Sequence, residues 1–253
     1  MLRRELEYFF GALRFFTRLP VPGWVGHSTE ALNRSARYFP AVGLLVGGIG
    51  ALVFLGATQV WPQPVAVLLS MAATIYATGA FHEDGLSDTV DGLGGGWDKL
   101  RILEIMKDSR VGSYGVVAMV LALLGKFTLL AALDGALVPW ALLAGHALSR
   151  FCATLLLASM DYVREDLLAK AKPLATRLTG GEMLVALGFA AAALCFLPAP
   201  RAFAGCALAA LATLWLARKF RRWLGGYTGD CLGATQQVSE IAFYLGLLAQ
   251  WGG

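Results

Sequence analysis

Charge is scarce in this sequence: Asp, Glu, Lys and Arg make up 15% of its 253 residues, and there are only 3 histidines and 4 cysteines. Cys152, Cys195, Cys206 and Cys231 form no close pair in the chain. That excludes a zinc motif and a disulfide framework and leaves the thiols as small apolar fillers. No internal repeat, low-complexity tract or long polar linker marks a second domain, so 1–253 reads as one domain. So little charge also argues against a large water-soluble core.

What is present is apolar. Hydrophobic residues reach 57% and the mean hydropathy is +0.63, values of a polytopic membrane protein. Stretches at 39–60, 65–81, 115–133, 139–160, 182–198, 201–217 and 234–251 each approach the length that crosses a bilayer, which predicts seven transmembrane helices. The expected fold is therefore all-α, a helical bundle within the membrane. Residues 5–19, ELEYFFGALRFFTRL, read as an amphipathic interfacial helix, or equally as a helix packed ahead of the first span. No cleavable leader is expected, because the first strongly apolar run follows a basic, amphipathic opening of 38 residues.

The net charge is +4 and the isoelectric point near 9.0, but the positive residues are not in one patch. Segments 1–38, 82–114, 161–181 and 218–233 hold 18 of the 21 Lys and Arg residues, whereas the intervening loops hold only Arg201. Arg164, Lys170, Lys172 and Arg177 supply the share of the third segment. Basic residues in short loops are retained on the cytoplasmic side, so the amino terminus is expected inside and the carboxyl terminus outside. Basic charge spread over one membrane face suits anionic lipid and phosphate substrates; no nucleic-acid partner is expected. Trp61, Trp140, Trp223 and Trp251 fall near predicted span ends, where indole rings favour the interface.

The polar exception is residues 81–115, FHEDGLSDTVDGLGGGWDKLRILEIMKDSRVGSYG, read as a cytoplasmic active-site loop over 82–114. Asp84, Asp88 and Asp91 stand at i, i+4 and i+7, so a helical backbone carries all three carboxylates on one face. Anions that close repel unless a cation joins them, and Mg²⁺ prefers oxygen ligands while leaving positions for water or phosphate. Gly92, Gly94, Gly95 and Gly96 follow, and glycine backbone approaches phosphate closely. His82 and Glu83 could supply a proton acceptor. Lys107, Asp108, Ser109 and Arg110 suit a diphosphate clamp, with Asp108 as a further ligand or an orienting partner. Positive-inside decoration explains Lys107 and Arg110 equally well. Asp230, in the glycine-rich segment 226–237, could complete a metal shell or cap the last helix. Deeper in the predicted spans lie Lys126, His146, Arg150 and Glu240; His146 and Arg150 share a helix face, and Glu240 needs a buried partner.

Five blocks taken together carry a resemblance. They are Thr17-Arg18-Leu19-Pro20-Val21-Pro22, Tyr38-Phe39-Pro40, the run from His82 to Gly92, the run from Ile105 to Gly112, and Gly229-Asp230-Cys231-Leu232-Gly233-Ala234. In this order, from near residue 10 to near residue 245, they resemble the cobalamin synthase, or adenosylcobinamide-GDP ribazoletransferase, family. Glu83 departs from that family's pattern, in which the position is often apolar. The resemblance implies a Mg²⁺-dependent enzyme of the inner membrane with its site on the cytoplasmic face. Its substrates would be adenosylcobinamide-GDP and α-ribazole or α-ribazole 5′-phosphate. The 5′-hydroxyl of the acceptor would attack the phosphorus bonded to cobinamide and expel GMP, giving adenosylcobalamin or its phosphate, a phosphoryl transfer. Asp84, Asp88 and Asp91 would hold the metal, Lys107 and Arg110 would stabilise the departing phosphate, and a carboxylate or His82 would take the proton. Membrane lipid is a further expected partner, and a homo-oligomer or association with other cobalamin-pathway enzymes is compatible with it. The rival readings are a CDP-alcohol phosphotransferase or polyprenyl transferase, which also set aspartates at a membrane face, and a small-molecule transporter lined by Lys126, His146 and Arg150.

Overall fold

The computed structural model describes residues 2–26, 29–163 and 178–249. The basic residues Arg164, Lys170, Lys172 and Arg177 of the predicted third cytoplasmic segment, and Trp251, lie outside the described residues. Among the described residues there is no β-strand, only one isolated parallel bridge between Tyr162 and Tyr227. The all-α class follows from the sequence as expected.

Helix α1 (Leu2–Phe16) is amphipathic and buries Tyr8, Ala12, Leu13 and Phe16, so it is a packed helix lying against α2 (Thr29–Ser35) and α3 (Phe39–Ala57). A 3₁₀ turn (Ala36–Tyr38) joins α2 to α3, and Pro40 sits in the first turn of α3, where a missing N–H costs nothing. α4 (Gln63–Thr78) ends on Gly79 at φ +66°, followed by Ala80 at φ +58°. A side chain in the left-handed region is strained, and Ala80 holds it at the sharp turn into α5 (Phe81–Gly95). The short α6 (Lys99–Ile105) is capped by Asp98, whose carboxylate accepts the Arg101 amide at 3.0 Å. α7 (Ser113–Ala132), α8 (Val138–Ser159), α9 (Gly180–Leu194), α10 (Ala199–Leu224) and α11 (Gly229–Leu247) complete the order. A capping box between Thr179 and Glu182 starts α9.

Two close crossings set the bundle. Gly43 and Gly47 of α3 lie directly on the backbone of α8, where a β-carbon at Gly43 would collide with the His146 carbonyl. Small residues four apart are the usual route to such contact between membrane helices. At the second crossing Gly85 of α5 faces Gly233 of α11, and a β-carbon on Gly85 would stand 3.0 Å from the Asp230 carbonyl oxygen. α11 is the central helix, packed against α5, α7, α8 and α10. Outward faces are apolar: Tyr76 of α4, Leu121 of α7 and Phe203 of α10 are 75%, 65% and 75% exposed, as a lipid-facing surface requires.

The structure corrects the predicted count of seven spans. Among the described residues four helical passages are long and apolar enough to cross a membrane: Ala31–Ala57, Ser113–Ala132, Val138–Ser159 and Ala199–Leu224. A fifth is reached only if α4 and α5, bent by 86° to each other, count as one broken span. The remaining two differ for physical reasons. α9 is apolar but only 15 residues long. α11 has the length, yet its interior positions hold Thr235, Gln236, Gln237, Ser239 and Glu240, which face neighbouring helices rather than lipid. The expected loop 82–114 is also corrected: it is helical over most of its length, as α5, α6 and the start of α7.

Candidate active site along the fifth helix

The polar cluster is carried by α5, which leaves α4 at a near right angle and runs between α7 and α11. The helical spacing of the three aspartates is as expected, but they meet different surroundings. Asp84 is exposed, Asp88 is half-buried and Asp91 is buried, the last covered by the start of α7. Among the described residues no three His, Cys, Asp or Glu side chains converge closely enough to enclose a metal ion.

Asp91 has a clear structural partner. Its Oδ2 accepts the Gly112 amide at 2.8 Å and its Oδ1 the Gly115 amide at 2.9 Å. These are N–H groups at the start of α7, which has no cap from its own N-cap residue Gly112. A carboxylate there satisfies orphan donors and opposes the positive end of the helix dipole.

Two concave regions flank the acids. At the N-terminal end of α5 lies a cavity of ≈ 180 Å³. Phe15, Phe16, Phe39, Phe81, Tyr162 and Tyr227 form its walls. Gly229 and Gly233, from the first turns of α11, close one side, and His82 and Arg150 are the charged-capable residues in its lining. His82 is 3% exposed, stacks on Phe16 with ring centroids 5.2 Å apart, and leaves Nε2 with no hydrogen-bond partner. Arg150 is 1% exposed, donates from Nη1 to the His146 carbonyl at 3.0 Å, and leaves Nε without a partner. Burial pushes the Tyr227 hydroxyl up to about 12, so that wall is uncharged at neutral pH.

At the C-terminal end of α5 lies a broader, polar groove of ≈ 510 Å³, lined by Asp91, Arg101, Glu104, Asp108, Arg110 and Ser113 among others. Arg110 and Asp108 form a two-pronged pair, Nε to Oδ1 at 3.0 Å and Nη2 to Oδ2 at 2.6 Å. The guanidinium hydrogen bonds hold the Asp108 carboxyl down at about 2 and raise Arg110 in turn. Asp108 thus stands as an orienting partner of Arg110. Lys107 is exposed on the same connection after α6. His82 and Asp91 are nine residues apart on one helix, about 13 Å along its axis, so the two regions sit at opposite ends of a rigid element with Asp84 and Asp88 between them. Asp230, half-buried in the first turn of α11, is brought against the same stretch through the Gly85 crossing.

Behind His82 the helix is anchored by a buried polar chain. Glu83 Oε1 accepts from Gln237 Nε2 at 2.9 Å, and Gln237 also donates to Gln236 Oε1 at 2.8 Å. Gln236 donates to Glu240, which takes the Tyr244 hydroxyl at 3.0 Å and stands 3.3 Å from Lys126 Nζ. Glu240 thereby has the partner its burial demands, and Lys126 and His146 surround it rather than lining a path. Sequence reading had no role for Gln236, Gln237 or Tyr244, although Gln236 and Gln237 lie in the glycine-rich segment singled out around Asp230. It also missed the aromatic walls, which five separated segments contribute; Phe39 beside Pro40 and Phe81 beside His82 were the nearest signals.

A family model described as Cobalamin-5-phosphate synthase matches residues 8–248. A protein of Shewanella amazonensis named adenosylcobinamide-GDP ribazoletransferase is 50% identical, covering 98% of this chain and 97% of its own length. Proteins of the same name from Leptothrix cholodnii and Vibrio cholerae are 48% and 47% identical, each covering 98% of this chain and 97% and 96% of their own lengths. No solved structure matches.

Proposed function

The chain belongs to the cobalamin-5-phosphate synthase family, and on that premise we propose that it joins adenosylcobinamide-GDP to α-ribazole, or to α-ribazole 5′-phosphate, releasing GMP. An acceptor that already carries a 5′-phosphate has no 5′-hydroxyl, so the nucleophile common to both acceptors is a secondary ribose hydroxyl. Its oxygen bonds to the phosphorus that carries the cobinamide oxygen, and the bond from that phosphorus to GMP breaks. Positioning and charge neutralisation carry most of such a transfer.

The observation that carries this reading is the arrangement along α5: an aromatic cavity at one end, an arginine-bearing groove at the other, and two carboxylates between. Arg110, held by Asp108, is a preset fork for the departing phosphate, and Lys107 adds a point charge beside it. His82, buried with a partnerless Nε2, is the candidate acceptor of the hydroxyl proton.

The residues fit a Mg²⁺ site of the open kind, which takes one or two carboxylates from the protein and the rest of its shell from substrate phosphate and water. Asp84 and Asp88, one turn apart on the less buried face of α5, would hold it, with Asp230 alongside. Asp91, with both oxygens on α7 amides, serves as the clasp of that helix instead. When bound, the ion neutralises diphosphate charge and polarises the phosphorus. The basic residues gathered at the groove end of α5, Lys99, Arg101, Lys107 and Arg110, support placing this face on the cytoplasmic side.

The test is purified protein in detergent or lipid, supplied with adenosylcobinamide-GDP, α-ribazole and Mg²⁺, with GMP and the cobamide measured and a chelator control. Asp84→Asn and Asp88→Asn should each abolish turnover. Normal turnover in both variants, or in the presence of chelator, would remove the metal assignment.

A further inference from the structure

The aromatic cavity at the start of α5 has a property that a core void does not. Genuinely empty cavities are apolar, whereas this one is lined by two residues, His82 and Arg150, each at least nine-tenths buried and each with a nitrogen that no protein group satisfies. Buried polar atoms without partners are rare, and two in one lining point to a ligand that completes them.

We infer that this cavity seats the benzimidazole ring of the acceptor nucleoside, with the Arg150 guanidinium turned to donate to the free ring nitrogen and the His82 ring beside the sugar. The inference deepens the proposed activity and rests on it. The volume of ≈ 180 Å³ admits a flat bicyclic ring and is far too small for a corrin macrocycle. The walls are rings and aliphatic groups, among them Phe16, Phe39 and Phe81, suited to an apolar heterocycle with two methyl groups. Once glycosylated, a benzimidazole keeps one ring nitrogen that accepts a hydrogen bond. An arginine nitrogen is always a donor, so the match is one donor to one acceptor. Guanine, the other candidate, carries an amide, an amino group and further ring acceptors along its edges. Most of these would be left unpaired among phenylalanines, and a site is strongly selective against a ligand whose polar groups it strands. Seated here, the nucleoside has its sugar beside the first turns of α5 and α11, where Asp84 and Asp230 stand.

The experiment compares acceptors and variants in detergent-solubilised, full-length protein. With wild type, the riboside of plain benzimidazole should show a KM roughly 15-fold above that of α-ribazole, the loss expected for two buried methyl groups. The KM for adenosylcobinamide-GDP should stay the same with either acceptor. Ala153 of α8 also lines the cavity; Ala153→Leu, which fills it, should raise the KM for α-ribazole at least about tenfold and leave that for adenosylcobinamide-GDP within about twofold. If Ala153→Leu is not monodisperse, Phe81→Leu at the rim replaces it, and the acceptor series needs no variant at all. A change confined to the KM for adenosylcobinamide-GDP would give the cavity to guanine or adenosyl and overturn the inference. No change in either KM would mean the cavity holds lipid or nothing, and would overturn it too. Absence of GMP release from wild type would refute the proposed activity itself, an outcome distinct from an active enzyme whose KM for α-ribazole ignores the cavity.

Discussion

Replacing Asp91 with Asn separates the structural from the catalytic use of the three aspartates. Asp91 is 7% exposed and accepts the Gly112 and Gly115 amides, one on each oxygen. Asn keeps one acceptor and turns an NH₂ group toward the other amide, so one hydrogen bond is lost and a donor faces a donor. A hydrogen bond to a charged group contributes about 1.5–3 kcal/mol, and a carboxylate at a helix start adds about 0.3–1 kcal/mol through the dipole. The expected loss is about 2–4 kcal/mol. At about 2–4 °C per kcal/mol for a chain of this size, the melting temperature in detergent should fall by roughly 4–16 °C. Asp84→Asn alters an exposed side chain and should melt within about 0.5 kcal/mol of wild type while losing at least about 100-fold in turnover, the scale of a removed charge-stabilising group. Thermal melts and GMP release, measured on the same preparations, give both numbers. If Asp91→Asn melts with wild type and loses turnover as Asp84→Asn does, the carboxylate acts on substrate, and the clasp assignment is wrong.

Other outcomes follow from the packing and the ion pairs. Gly43→Leu should prevent recovery of monodisperse protein, since its side chain would enter the α8 backbone; Gly48→Leu, whose nearest neighbour is the Leu143 side chain at 3.9 Å, should be recovered normally. Lys126→Met should destabilise by about 3–5 kcal/mol by leaving Glu240 buried without its cation; adding Glu240→Gln should restore part of that loss, as read from detergent melts. The folded carboxyl of Asp108 titrates at about 2, below its ordinary value, so its pairing is present above the carboxylate range and lost only as pH falls toward 2. Asp108→Asn should therefore leave the acid limb of the pH–rate profile above about pH 5 where it is in wild type, and a shifted limb would count against Asp108 as a fully ionised orienting group.

The helix that bears the acids was legible from spacing alone, because i, i+4 and i+7 admit one backbone. Spacing does not say how a helix enters the bundle, so it put Asp91 on the same footing as Asp84, although one is buried against α7 and the other faces outward. Hydropathy found the four long passages and then overcounted. It averages along a segment and is blind to which neighbour each side chain meets, so α11, central and polar inside, read like a lipid-facing span. The bend after α4 rests on Ala80 at positive φ, a conformation no residue-type rule assigns to alanine. The aromatic walls were out of reach for a different reason: α1, α3, α5, the 161–163 segment and the turn before α11 each give one or two of the rings, and only the fold gathers them.

Because α5 bears the aromatic cavity, the acids and the edge of the arginine groove, it acts as a ruler whose graduations are the helical rise. Slip the numbering by a single residue between Asp84 and Asp91, and everything beyond the insertion swings by about 100° around the axis. The spacing between donor and acceptor sites is in this sense written into a covalent repeat, not negotiated by mobile loops. Evolution of a longer or bulkier substrate would have to rebuild the walls, since the gauge itself does not stretch.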